Sequence, residues 1–397
     1  MSAAEGFAEP GGQGKGRSPE AFVIRQGAPR VHLAYLDGLR ALAASYVVGF
    51  HAVLGFGGAD LTGAWRALRR AFAFGHEAVA VFIVLSGYCL MLPVVRSRGG
   101  TREVPLGPFM GRRAFRILPP YFAALAGSLA LLALVPALRA PHSGTIWDDS
   151  LPGLELGAVV SHLLVVHNWF PAWSYQINGP LWSVASEWQI YFLFPLLLLP
   201  SWRRFGALPT LGIAAVIGYA PLWLVSAPAK VAIPWYVLLF TLGMLAAAIG
   251  FSDQPSFERL RQGGRWQLWC SLFWLGCLGF ALGLGQVWFA HKPVADLLVG
   301  LATTLLLIYL TGRAASENRG RLLALLESRA LVGLGHFSYS LYLTHLPVLA
   351  LVYFALRPLG WSPGQLSLAL LLFGALASLI VAYAFHVAIE RRFIVKR

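Results

Sequence analysis

Apolar runs of about 20 residues, enough to cross a bilayer as helix, recur along the whole chain. They fall at 34–54, 72–92, 115–138, 178–200, 207–226, 231–250, 266–289, 294–312, 331–355 and 365–388. Short polar connections separate most of them; residues 139–178 form the largest outward loop, with Pro, Trp and His but little regular pattern. One further stretch, 155–170, is apolar but short, and reads as a re-entrant or surface segment. The pattern predicts an all-α, polytopic membrane helix bundle of about ten transmembrane helices. No internal repeat and no soluble domain interrupts it. Residues 1–33 are polar and Gly-rich, which predicts a disordered cytoplasmic tail, and 391–397 form a second, basic tail. Residues 34–390 make up the membrane domain. No apolar segment with a small-residue cleavage site precedes the first span, so that span is expected to be an uncleaved anchor.

Composition agrees: 57% of residues are hydrophobic and 12% charged, against about 25% charged in soluble domains. The net charge is +14. In a soluble protein such a charge would raise the question of nucleic acid. Here it sorts by topology. With ten spans, 23 of the 31 Lys and Arg fall on the side of the two termini and 7 on the other, with Arg40 inside the first span. Cytoplasmic loops collect Lys and Arg, so both termini are expected in the cytoplasm, and the partner implied is the lipid bilayer rather than nucleic acid. Arg66, Arg69 and Arg70 run against this count; their spacing puts them on one face of a short helix. Cys89, Cys270 and Cys277 lie in apolar runs, where cysteine serves as a small hydrophobe.

The first span, "YLDGLRALAASYVVGFHA", carries Asp37, Arg40 and His51. Arg40 and His51 are eleven residues apart, about 1100° of helix, hence on one face and roughly 16 Å apart along the axis. Asp37 precedes Arg40 by three and is placed to pair with it. A polar stripe of this kind turns toward a cavity or the bundle interior. The competing reading has Asp37 and Arg40 snorkelling to the headgroups and His51 as a structural residue.

At this point the chain resembles a known family. Arg40, ten intervening residues and His51 resemble the signature of acyltransferase 3, the integral-membrane O-acyltransferases of the O-antigen and polysaccharide O-acetylase type. "GHEAVAVFIVLSGY", "RRAFRILPPY", "LWSVASEWQIYFLFP" and "FSYSLYLTHLPV" are similar to four further motifs of that family, in the same order. Together they cover about 35–390. Ile83, Glu77, Trp188 and Thr344 depart from the usual pattern and bear on the substrate rather than the reaction.

The resemblance implies that Arg40 and His51 are required. Acyl transfer to a hydroxyl needs that hydroxyl deprotonated as it attacks, and histidine suits the task near neutral pH. His51 is therefore expected to be a general base or a transient acyl carrier. Glu187, a carboxylate inside a span, shares a face with Ser183 and Tyr191 and is expected to meet the first-helix stripe, orienting His51 or pairing with Arg40. Arg112, Arg113 and Arg116 at the inner face suit the phosphates of acyl-CoA. Ser86, Tyr121, Trp182, Ser338, Tyr342 and His345 complete the expected cavity, with Asp37, Ser183 and Tyr191. Trp202 and Trp235 read as interface anchors.

"GHEAV" lacks the second histidine of a metal-binding His-Glu-x-x-His site, and His162 and His167 are five apart, off-face on a helix. No metal and no permanently bound cofactor is expected. The function expected is transfer of an acyl group, most simply acetyl, from cytoplasmic acyl-CoA to a hydroxyl of a saccharide or related acceptor, in a bacterial inner membrane. No hydrolase-like domain of the kind some family members carry is expected after the tenth span. A separate extracytoplasmic transfer partner thus stands beside completion by this bundle alone. The alternative is a transporter or exporter, because polar residues at mid-span mark transport paths too.

Overall fold

A computed structural model describes residues 33–56, 63, 65–100, 102–139, 143–151, 155–224 and 232–394. The N-terminal tail expected from sequence lies outside the described residues, as do 395–397. The described residues are helices joined by turns, with no strand among them. Ten helices correspond to the ten apolar runs: α1 Ala34–Phe50, α2 Gly75–Val95, α3 Leu106–Leu134, α4 Leu181–Leu193, α5 Ala207–Leu224, α6 Tyr236–Phe251, α7 Trp266–Gly283, α8 Lys292–Ala314, α9 Ser338–Leu356 and α10 Pro363–Ala369. Several of these continue beyond their bounds, α1 to Gly55 and α9 to Leu359. α4 runs on through Phe194–Leu198 to Phe205, and α10 through Leu370–Gly374 to Phe393.

Nine of them are long and apolar enough to cross a membrane. The sixth differs from the expected straight span. α6 is 16 residues long, about 24 Å, and stops at Ser252. The chain then bends by 85° into the amphipathic helix Pro255–Gly263. Pro255 opens that second helix, where a missing N–H costs nothing. The segment 155–170 holds only an eight-residue helix, Leu156–Leu163, and a turn at His167–Trp169, too short to cross. Arg66, Arg69 and Arg70 lie exposed on the short helix Trp65–Ala71.

α6 is buried on all sides, as expected of a helix apolar all round, and packs on α2, α5 and α8. Two glycines make the α2–α6 approach possible. A Cβ on Gly87 would lie 1.9 Å from the Phe240 carbonyl oxygen, and one on Gly243 2.0 Å from that of Val84. Small residues at such crossings let backbones touch. Gly87 is thus explained by packing, within the Ser-Gly-Tyr run noted in the sequence. Gly87→Leu is expected to destabilise the bundle by at least the roughly 1–3 kcal/mol of an overpacked core, read as a lowered melting temperature in detergent. Gly212→Leu on α5, where a Cβ meets open space, should leave it unchanged.

α1 packs against α2, α9 and the short helix Arg329–His336. α5 and α7 have only 17% of their spans buried, against 67% for α1, α2 and α9. The polar chemistry therefore belongs to the inner helices, and α5 and α7 present apolar surface outward.

Candidate active site

The polar stripe on α1 forms as its spacing predicts at one end. Arg40 Nη1 donates to Asp37 Oδ1 at 3.1 Å, and Nη2 reaches Cys89 Sγ on α2 at 3.1 Å. His336 lies 3.9 Å from the other Asp37 oxygen. Cys89 is thus a partner for the partly buried guanidinium rather than a plain hydrophobe. The α-helix ends at Phe50, and His51 opens a π-turn, His51–Gly55. Such bulges recur at functional sites because they re-aim a side chain within a helix.

His51 Nδ1 lies 3.0 Å from the Val47 carbonyl and 3.0 Å from His345 Nε2 on α9. His345 Nδ1 faces the carbonyls of Leu341 at 3.1 Å and Tyr342 at 2.8 Å. Carbonyls only accept, so His345 carries its proton on Nδ1, and neutral His345 offers Nε2 as an acceptor. His51 then carries its proton on Nδ1, shared between Val47 and His345. The Nε2 lone pair of His51 is left uncommitted. The tautomer of one imidazole is fixed by the hydrogen bond of the other.

Glu187 does not join this pair. Its Oε1 accepts from Ser86 on α2 and from Tyr191 on its own helix. The expected contact with the α1 stripe is not made, because α2 supplies the partner on each side: Cys89 to Arg40, Ser86 to Glu187. Arg113 lies over the rings of Phe109 and Tyr191, 5.8 and 6.0 Å from their centroids. Arg112 and Arg116, by contrast, are exposed. The three arginines expected to act alike therefore divide into one beside the Glu187–Tyr191 group and two on the surface.

Tyr342 Oη lies 2.7 Å from Ser183 Oγ, which donates to Pro180, and its ring centroid is 5.8 Å from that of His345. This joins α4 to the imidazole pair. Ser338 spends its hydroxyl on the Gly335 carbonyl at 2.8 Å, and Ser340, off the stripe, donates to Glu390 at 2.5 Å. Neither they nor Tyr121 face the pair. Tyr121 donates to the His162 carbonyl at 2.9 Å, tying α3 to the segment after it. Trp235 is buried and donates to Asp296, and Trp202 is buried against Phe257 at 6.2 Å, so neither is an interface anchor.

The described parts of the loop between α3 and α4, 143–151 and 155–180, are folded against the bundle. Asn178 Nδ2 donates to the Leu343 carbonyl at 2.9 Å and to Ser128 Oγ at 3.1 Å, within one turn of His345. His162 and His167, off-face on a continuous helix, meet because the helix stops at Leu163; their rings stack at 3.8 Å. Burial pushes both imidazoles below their ordinary value near 6.5, and for His167 the neighbouring His162 adds to the effect. Below pH 6.5 the opened segment therefore binds more protons than the folded one. Folding stability falls there by up to about 1.4 kcal/mol per pH unit and histidine, and is flat above. Hydrogen exchange, corrected for its intrinsic rate, should show 156–178 losing protection between pH 7 and 5, and His162→Asn/His167→Asn should remove that dependence. Among the described residues no group of three or more His, Cys, Asp or Glu is placed to hold a metal ion.

Sequence reasoning passed over two residues. His76 lacks the second histidine of a metal site, and its Nε2 lies 2.9 Å from Asp296 Oδ2. Asp296 is an acid inside the eighth apolar run, and that alone was the available signal.

Comparison with known proteins now adds to the geometry. A family model described as an acyltransferase domain, Acyl_transf_3, matches residues 33–387. The chain belongs to the acyltransferase 3 family. Relatives of this acyltransferase 3 chain include the "Putative peptidoglycan O-acetyltransferase YrhL" of Bacillus subtilis, 28% identical over 41% of this chain and 23% of the relative. A "Putative O-acetyltransferase" of Staphylococcus aureus strain COL is 26% identical over 41% and 24%. "Acyltransferase MdmB" of Streptomyces mycarofaciens is 30% identical over 42% and 40%. The matched stretch thus spans about a quarter of the first two relatives and less than half of the third. No solved structure matches significantly.

Proposed function

We propose that this membrane protein is an O-acyltransferase, moving an acyl group, acetyl in the simplest case, from cytoplasmic acyl-CoA to a hydroxyl of a saccharide or related acceptor in a bacterial inner membrane. Family membership and the O-acetyltransferase names of two relatives support this reading over an exporter. One observation carries it: the His51–His345 hydrogen bond, which leaves His51 Nε2 as a lone pair for proton transfer. The acceptor oxygen attacks the thioester carbonyl carbon, and its proton passes to His51 Nε2. The C–O bond forms as the C–S bond breaks. The proton then goes to the departing thiolate, giving CoA and the ester. His345 holds the Nδ1–H and stabilises the imidazolium between the two steps, as the third member of a triad does for its histidine.

Arg40, one helix face and roughly 16 Å from His51, supplies a cation toward the donor's phosphates, with Arg112 and Arg116 as further anchors. Purified protein in liposomes with labelled acetyl-CoA tests the reading. CoA release that depends on a hydroxyl acceptor and is lost in Arg40→Ala and His51→Ala is expected. Acceptor flux without CoA release would replace the acyltransferase by an exporter.

A further inference from the structure

Beside the imidazole pair lies a second polar cluster that uses none of its atoms. Asp296 is fully buried near the start of α8. Its Oδ2 accepts from His76 Nε2 at 2.9 Å and from Trp235 Nε1 at 2.8 Å. Its Oδ1 is buried with no hydrogen-bond partner, and so is the hydroxyl of Tyr236, next in sequence to Trp235. A buried polar atom left unpaired is costly, and two in one cluster call for a common explanation. A guest hydroxyl would answer both, giving its proton to Asp296 Oδ1 and accepting from Tyr236 O–H.

The walls suit such a guest. The Trp182 ring stacks on His76 with centroids 5.6 Å apart and planes 15° apart, and lies 6.0 Å from the Tyr236 ring. His76 keeps 20% of its side chain exposed and is the accessible edge of an otherwise buried cluster, in which Asp296 and Tyr236 are fully covered. Ile233, two residues ahead of Trp235, is held at φ 54°, a costly backbone for a β-branched residue. The turn that aims Trp235 at Asp296 is thus bought at a local cost.

The cluster adjoins the His51 pair by two routes. Trp182 precedes Ser183, which is bonded to Tyr342, whose ring faces His345. Gly75, beside His76, lies so close to Phe50, beside His51, that a Cβ there would be 2.1 Å from the ring.

We propose that Asp296, Tyr236, His76 and Trp182 form the acceptor subsite, which holds a polyhydroxylated ring such as a saccharide unit by one hydroxyl while another is presented to His51. The assignment rests on the acyl-transfer reading. It is tested with Tyr236→Phe and Asp296→Asn in liposomes, using labelled acetyl-CoA and a panel of methyl glycosides as acceptors. The expected result is an acceptor KM raised about tenfold or more in each variant, the acetyl-CoA KM unchanged, and no fall in melting temperature for Tyr236→Phe. An unchanged acceptor KM in both, with or without a change in melting temperature, overturns the subsite and leaves the cluster structural or hydrated. If wild type releases no CoA with any glycoside, the acyl-transfer reading fails separately. The subsite is then judged by the same glycosides as stabilisers: a rise in wild-type melting temperature that Asp296→Asn abolishes sustains it, and no rise overturns it.

Discussion

His51→Ala should lose acyl transfer by roughly 10²- to 10⁴-fold, the range expected when a positioned general base is removed. The loss should fall on kcat, because the side chain acts on the proton in flight and not on binding. The variant should still insert and fold. His51 sits at the turn where α1 gives way to a π-bulge, and its ring is held by one carbonyl and one imidazole rather than by the core. Melting temperature within a few degrees of wild type separates a chemical loss from a folding loss. Unchanged turnover in a folded variant would remove His51 as base and as acyl carrier alike.

His345→Phe ranks second. It keeps an aromatic ring on α9 but deletes the atom that accepts the His51 Nδ1 proton. Changing the ionised partner that orients a triad histidine costs roughly 10⁴-fold in kcat; a neutral imidazole partner contributes less, so kcat should fall by about tenfold or more, short of that bound, with substrate KM values held. His345→Gln offers a carbonyl oxygen to the same proton and should restore much of the lost rate. If His345→Gln and His345→Phe are equally impaired, shape rather than the hydrogen bond is what His345 supplies. A Glu187→Gln variant should be milder than His345→Phe, because Glu187 accepts from Ser86 and Tyr191 and not from His51.

The helices were legible in the sequence because each span must bury its own backbone hydrogen bonds and fill about 30 Å of hydrocarbon. Length and apolarity alone therefore mark nearly all of them. The bend after Phe251 was not legible, since Ser252 to Gln254 interrupt the pattern only briefly and Pro255 fits a helix start as well as a loop. The Asp37–Arg40 pair was legible, because spacing of three on one helix depends only on local geometry. Which helix the stripe faces was not: α2 lies against α1 with Cys89 and turns Ser86 toward Glu187, a matter of tertiary packing. His345 was visible as one of the polar residues expected to line a cavity, but its pairing with His51 joins residues 294 positions apart. The loop at 143–151 and 155–180 was least legible. Its order comes from single hydrogen bonds such as Asn178 to Leu343, which leave no periodicity behind.

The tautomer of His51 is the point on which the chemistry turns. Nitrogen-15 NMR of protein labelled at histidine reads it directly in lipid bilayers, with the His51 signals assigned by their loss in His51→Ala. The expected spectrum at pH 7.5 has His51 protonated at Nδ1 and bare at Nε2, with its Nδ1 resonance displaced in His345→Phe. A His51 protonated at Nε2, or one whose signals ignore the His345 substitution, would contradict the assignment of His51 as the base held ready by His345.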